Sequence, residues 1–292
     1  MSTRGKPPGS APRPVTPPDP SLITHPVPSH RHHKPISFGK GARLDLPYRS
    51  VEELDELPEA DAALSNDSYY RKSHDDVRRL LEVICDLKDF LKSDNTPVDI
   101  ATWGFMIFVT EYSSLALEKL CLAMENLVKV TERSMSSTPP AYKNEAIRRL
   151  KFDLIQDKEN LDGASDDRIR EEFKSLLRGQ SLMNEEDSPE IFIGSTVGCL
   201  VFDEKTITML ADLEFDDSVR DYSSFKGNNI KITDLFWVRG ETEWPDLPNA
   251  RPYRGVDECP IVCLQSLNSE FSTSGFGGEL EDRFPLQSKY YL

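Results

Sequence analysis

Residues 100–110 read Ile-Ala-Thr-Trp-Gly-Phe-Met-Ile-Phe-Val-Thr, an almost unbroken apolar run rich in β-branched and aromatic side chains. A strand wetted on one face alternates between apolar and polar residues, whereas a strand covered on both faces does not. The run therefore predicts a central strand with packed layers on either side, which restricts the chain to a layered fold. It does not predict a membrane span. The longest uncharged apolar stretch, residues 191–202, holds 12 residues against the roughly 20 that a spanning helix needs.

The remaining elements are read from periodicity. Ser73 is placed to cap a helix with Val77, Leu80, Leu81, Ile84, Leu87 and Leu91 on one face, and Asp75 and Asp76 in its first turn favour the helix dipole. A helix is expected over residues 115–130 and a strand over 150–156. Asp162-Gly163 then makes a turn, and Ser165 caps a helix that buries Ile169, Phe173, Leu176 and Leu177 and closes at Gly179. A third strand over 191–202, a short helix over 204–213, a fourth strand over 230–238 and a last short element over 261–267 complete the order. Strand alternates with helix from residue 100 onward, giving a βαβαβαβ order and an α+β class: a single α/β sandwich, with a ferredoxin-like arrangement preferred to a doubly wound one because no Gly-rich βα turn is present.

The chain is also divided by charge. The first 50 residues hold 11 of the 21 prolines and carry eight Lys/Arg against two Asp/Glu, so the rest of a chain of net charge −15 is strongly acidic. Residues 1–65 are expected to be a disordered tail, Pro-rich and basic and then acidic, because they offer no periodic apolar face to offset chain entropy. An N-terminal helix over 66–97, an α+β domain over 98–272 and a C-terminal tail over 273–292 follow. The N-terminus has no apolar signal segment, and an odd number of cysteines, Cys85, Cys121, Cys199, Cys259 and Cys263, suits reduced thiols. The expected location is cytoplasmic or nuclear.

Chemistry is constrained by what the sequence lacks. Four of the five histidines lie at 25–33 among prolines, and the fifth is His74. Ser-His and Cys-His catalysis and multi-His metal sites all need imidazoles that the body does not own. No phosphate-binding loop, dinucleotide fingerprint or kinase motif set occurs. No catalytic residue, metal site or cofactor is therefore assigned. The carboxylates Asp157, Glu159, Asp162, Asp166 and Asp167 are read as caps and dipole partners. Basic residues in the head are scattered singly before an acidic body, which disfavours nucleic acid.

The candidate ligand or partner surface is drawn from aromatic and cationic residues: Trp103, Tyr112 and Trp237 as possible lining of a cleft, and Arg239, Trp244, Arg251, Tyr253 and Arg254 on a proline-interrupted loop over 239–260. Loops that long are functional or disordered, and this one is expected to be an ordered flap anchored by Trp244 and Tyr253. Protein partners are expected through the tail or this loop.

Trp103-Gly-Phe-Met-Ile-Phe-Val-Thr-Glu-Tyr112, Glu159-Asn-Leu-Asp-Gly-Ala-Ser165, Val201-Phe-Asp-Glu204 and Phe236-Trp-Val238 occur in that order. As an ordered set they resemble a family of uncharacterised filamentous-fungal proteins with WGF…TxY, LDGAS, VDE and WV motifs. The resemblance implies a shared fold and a fungal lineage, and it brings no activity. Two function classes follow: an intracellular interaction or accessory protein without classical catalytic machinery, or a small-molecule-binding α+β domain, including a His-independent enzyme of fungal secondary metabolism.

Overall fold

The computed structural model describes residues 35–42, 48–58, 68–91, 102–184, 194–216, 225, 227–235 and 255–273. Among them the strands are β1 (Ile36–Phe38), β2 (Met106–Val109), β3 (Phe152–Ile155), β4 (Gly198–Phe202), β5 (Asn229–Asp234) and β6 (Val256–Pro260). The helices are α1 (Val51–Asp55), α2 (Ser68–Leu91), α3 (Ser114–Ser134), α4 (Pro140–Arg149), α5 (Lys158–Leu161), α6 (Asp166–Gly179), α7 (Gly194–Val197), α8 (Glu204–Ala211) and α9 (Leu264–Thr273). The class is α+β, built on one mixed sheet of six strands in the order β1-β3-β2-β4-β5-β6.

 From β2 to β5 the successive connections hold, among the described residues, two helices, three and one.

The three central strands are parallel: Ile107 pairs with Leu154 of β3 on one side and with Leu200 of β4 on the other. The chain thus leaves β2 for one neighbour and returns, past β2, to the other. Right-handed crossovers in opposite directions put their helices on opposite faces of a sheet. Accordingly the ring of Phe173 in α6 meets Phe108 at 5.8 Å between centroids, while Ile107 and Val109 point to the other face, where α3 lies across α8 and Asn126 Nδ2 donates to Leu210 O at 2.9 Å. All four residues of β2 are buried, and Ile107 and Val109 are fully so. Replacement of Ile107 by alanine is expected to cost about 2–5 kcal/mol through the cavity it leaves. A denaturant titration reads this directly, and an unchanged midpoint would place β2 at the periphery.

Several boundaries depart from the sequence reading, each for a physical reason. The stretch expected to be a tail contributes packed structure. β1 pairs antiparallel with β3, Ile36 opposite Leu154. Downstream of it, α1 buries Val51 and Leu54 under a capping box formed by Ser50 and Glu53. Three residues of edge strand and five of helix are too short to show a period. Helix α2 begins five residues before Ser73. The run 191–202 is not one strand: α7 precedes β4, and apolar continuity alone does not separate the two. Helix α4 has Pro140 at its first position and buries Ala141, Tyr142, Glu145, Ala146, Ile147 and Arg149, a pattern whose charges hide its inner face. The last part of the expected 239–260 loop is strand β6, paired with β5. The element expected at 261–267 is a short 3₁₀ turn followed by α9. Residues 1–34, with the histidine cluster, and 274–292 lie outside the described residues. No helix among the described residues is long and apolar enough to cross a membrane.

Candidate functional site

In open sheets with parallel strands, ligands gather at the carboxyl ends where adjacent crossovers diverge. Here that place is the end of β2, β3 and β4, and its residues follow directly from the strand ends. After β2 the Thr110 N–H donates to Phe202 O and the Gly163 N–H donates to Thr110 O, both at 2.9 Å, so the ends of β2 and β4 and the turn after α5 are stitched together by backbone. Gly163 takes φ +64°, which lets the Asp162-Gly163 turn bring its N–H to Thr110.

Four helices start here, and each is capped by a short polar side chain. Ser113 Oγ accepts from Ala116 N at 3.3 Å, Asp157 Oδ1 from Asn160 N at 3.2 Å, Ser165 Oγ from Arg168 N at 3.3 Å and Asp203 Oδ1 from Thr206 N at 2.8 Å. Glu111 accepts the Ser113 N–H at 2.8 Å, and this backbone hydrogen bond holds its carboxyl below the usual carboxylate range. Arg168 donates to Asn160 Oδ1 at 2.9 Å, and Asn160 Nδ2 donates to Asp157 Oδ2 at 2.7 Å. Behind them Arg170 is buried, donating to Asp234 O and Asp167 Oδ1 at 2.8 Å and to Gly255 O at 3.3 Å.

Tyr112 stands at the centre of this edge. Its hydroxyl oxygen accepts the Asp157 N–H at 2.7 Å, and burial pushes the phenol up to about 12. A raised folded-state value means that stability from the neutral phenol is complete below about pH 10 and is lost as pH rises towards about 12. Tyr112→Phe is expected to cost about 1 kcal/mol, since it leaves the Asp157 N–H without its acceptor. It should also remove one late-titrating phenolate from the absorbance at 295 nm; loss of that amplitude near pH 10 instead would show that Tyr112 ionises normally.

Among the described candidates, Trp103 does not join it. Trp103 lies before β2, at the opposite end of the sheet. It is buried, its indole N–H donates to Ala146 O at 2.7 Å, and it bridges Leu150. It is a core pillar. Trp237, Arg239, Trp244, Arg251, Tyr253 and Arg254 lie outside the described residues. Among the described residues no group of His, Cys, Asp or Glu could hold a metal ion.

A second polar cluster, at the Trp103 end of the molecule, was not visible in the sequence. Tyr142 donates its hydroxyl to Asp55, which also accepts from Arg78 at 2.9 Å. Burial, with the Asp55 contact, pushes the Tyr142 phenol up to about 12. The His74 ring stands edge-on to Tyr142 at 4.8 Å, and burial lowers its pKa. Nearby, Arg149 and Glu145 are both buried and pair at 2.8 Å. The Arg149 guanidinium reaches Arg49 O at 2.5 Å and lies 4.8 Å from the ring centroid of Tyr48, while Glu145 Oε1 also accepts the Arg49 N–H at 2.9 Å. These bonds hold residues 48–55 against α2 and α4. Only the local charge pattern marks these residues in the sequence, and it reads as solvent-facing.

Comparison of the chain with family models, with curated proteins and with solved structures finds no match.

Proposed function

We propose that the chain is an interaction or accessory protein rather than an enzyme of a classical kind, in keeping with the motif resemblance to filamentous-fungal proteins. The observation that supports this reading is the use to which the polar groups at the strand ends are put. Ser113, Asp157, Ser165 and Asp203 are each committed to a helix cap, and the Tyr112 hydroxyl is bonded to backbone. Groups spent in this way stabilise a scaffold, and a nucleophile or general base needs a free partner at hydrogen-bond distance. The test is to purify the tagged full chain from its native source after mild crosslinking and to quantify bound proteins against an unrelated tagged protein. A partner held in near-stoichiometric amount is expected. Recovery of the chain alone would overturn the reading.

One observation favours the second reading, a small-molecule-binding domain: the crossovers that leave the neighbouring strands β2 and β3, through α3 and α6, diverge to opposite faces of the sheet at their carboxyl ends. A thermal-shift screen with small metabolites tests it. A stabilising compound whose effect is lost in Tyr112→Phe would favour this reading over the first.

A further inference from the structure

We propose that the outward face of α3, residues 115–125, docks a basic amphipathic helix of a partner protein; this rests on the interaction reading above and names the surface and the chemistry of its occupant. Helix α3 is strongly two-sided. Its inner face buries Ala116, Leu120, Ala123, Met124, Leu127 and Val130. The outer face of such a helix is ordinarily polar, yet Leu115 is 58% exposed, Leu117 43% and Leu122 47%. Leu115 and Leu122, seven positions apart on one side of the helix, leave an apolar strip in water, and Leu117 stands on the other flank.

The charges around that patch identify what fits it. Residues 115, 118, 122 and 125 follow at spacings of three and four and so form one row along the helix. In that row Leu115 and Leu122 alternate with Glu118 and Glu125, both exposed. Neither glutamate enters an ion pair with a described residue. The cations of this helix that could neutralise them are engaged elsewhere: Lys119 pairs with Asp212 at 2.9 Å, and Lys129 lies 5.6 Å from the centre of the Phe215 ring. Among the described residues the face is therefore apolar and uncompensated in negative charge. Its complement is a helix that offers aliphatic side chains at the same spacing with Lys or Arg beside them. About 16 Å of helix axis is presented, room for some three turns of a partner. A second copy of this chain fits poorly, because apposed α3 faces would set Glu118 and Glu125 against their like in a chain of net charge −15.

The test uses the full chain and a labelled 18-residue probe peptide, helical, with leucines at spacings of three and four and lysines elsewhere, read by fluorescence anisotropy. Two control peptides replace the leucines by alanine or the lysines by glutamate. The leucine-lysine peptide is expected to bind at least about tenfold more tightly than either control. Leu115→Gln with Leu122→Gln should weaken it at least about tenfold, as loss of interface anchors does. Glu118→Gln with Glu125→Gln should weaken it and flatten its salt dependence, whereas Glu171→Gln on exposed α6 should leave it unchanged. All these positions are exposed, so folding is preserved and checked by circular dichroism. Equal binding by the glutamate peptide, or affinities indifferent to the α3 substitutions, would overturn the proposal. So would a concentration-dependent dimer in sedimentation that Leu122→Gln abolishes, which would give the face to a second copy. A native partner that survives Leu115→Gln with Leu122→Gln removes this surface and leaves the interaction reading intact; absence of any partner removes that reading too.

Discussion

Replacement of Arg149 by methionine is expected to lower stability by about 3–5 kcal/mol. Both Arg149 and Glu145 are 1% exposed on their side chains and pair at 2.8 Å. Methionine would leave the Glu145 carboxylate buried beside a weakened set of donors, and the Arg49 carbonyl would lose the guanidinium that reaches it. The loss should concentrate at residues 48–55, so amide exchange there should quicken before exchange in β2. Replacing both partners, Glu145→Leu with Arg149→Met, should recover much of the stability, because no uncompensated charge remains. Urea denaturation of the two variants and the unsubstituted chain measures this. A double variant as unstable as Arg149→Met would mean that the contacts to Arg49 and Tyr48, and not the buried charge, carry the effect.

Gly104→Ala is the second large effect. Gly104 sits at φ +141°, and a Cβ there would stand 2.0 Å from the carbonyl oxygen of Lys151. The backbone strain alone costs about 1–3 kcal/mol, and forcing β2 from β3 to relieve the overlap costs about 1–3 kcal/mol more. The carbonyl of Gly104 also accepts from Asn268 Nδ2 at 2.8 Å, so displacement there disturbs α9 as well. Two further glycines separate the causes. Gly163, at φ +64° with open space around it, should show strain without overlap, and Gly227, also in open space, should tolerate alanine nearly without cost. Thermal unfolding of the three alanine variants should therefore rank 104, then 163, then 227. Any other order would show that crowding at Lys151 is relieved elsewhere.

What the sequence made legible was the part of the fold in which side-chain character and burial coincide. Residues 106–109 are apolar on both faces and lie in the middle of the sheet. The caps at Ser165 and the turn at Gly163 were readable because a short hydroxyl and a left-handed glycine each do one local thing. Elements whose identity comes from distant partners were hidden. β1 is a strand only because β3 accepts it, and α7 interrupts an apolar run that would serve equally well as strand. Of the candidate surface, Tyr112 lies at the carboxyl ends of the strands and Trp103 in the core at their other end, and the sequence does not separate the two because aromatic character marks a core pillar and a ligand platform alike. The Arg149–Glu145 pair was missed because burial of charge depends on which helix covers it, and no spacing rule encodes that.

The pairing of β1 with β3 also has a bearing on how the molecule is assembled during synthesis. Ile36 meets Leu154, a partner 118 positions later in the chain. At ribosomal rates of roughly 5–20 residues per second, the first strand waits on the order of 6–24 s before its partner exists. Contacts of such separation close slowly even when the whole chain is present. Until then the outer edge of β3 has no neighbour, and an open edge invites pairing with other chains. A chain begun after residue 38 would keep that edge open permanently, and its yield of soluble protein should fall with concentration more steeply than that of the full chain.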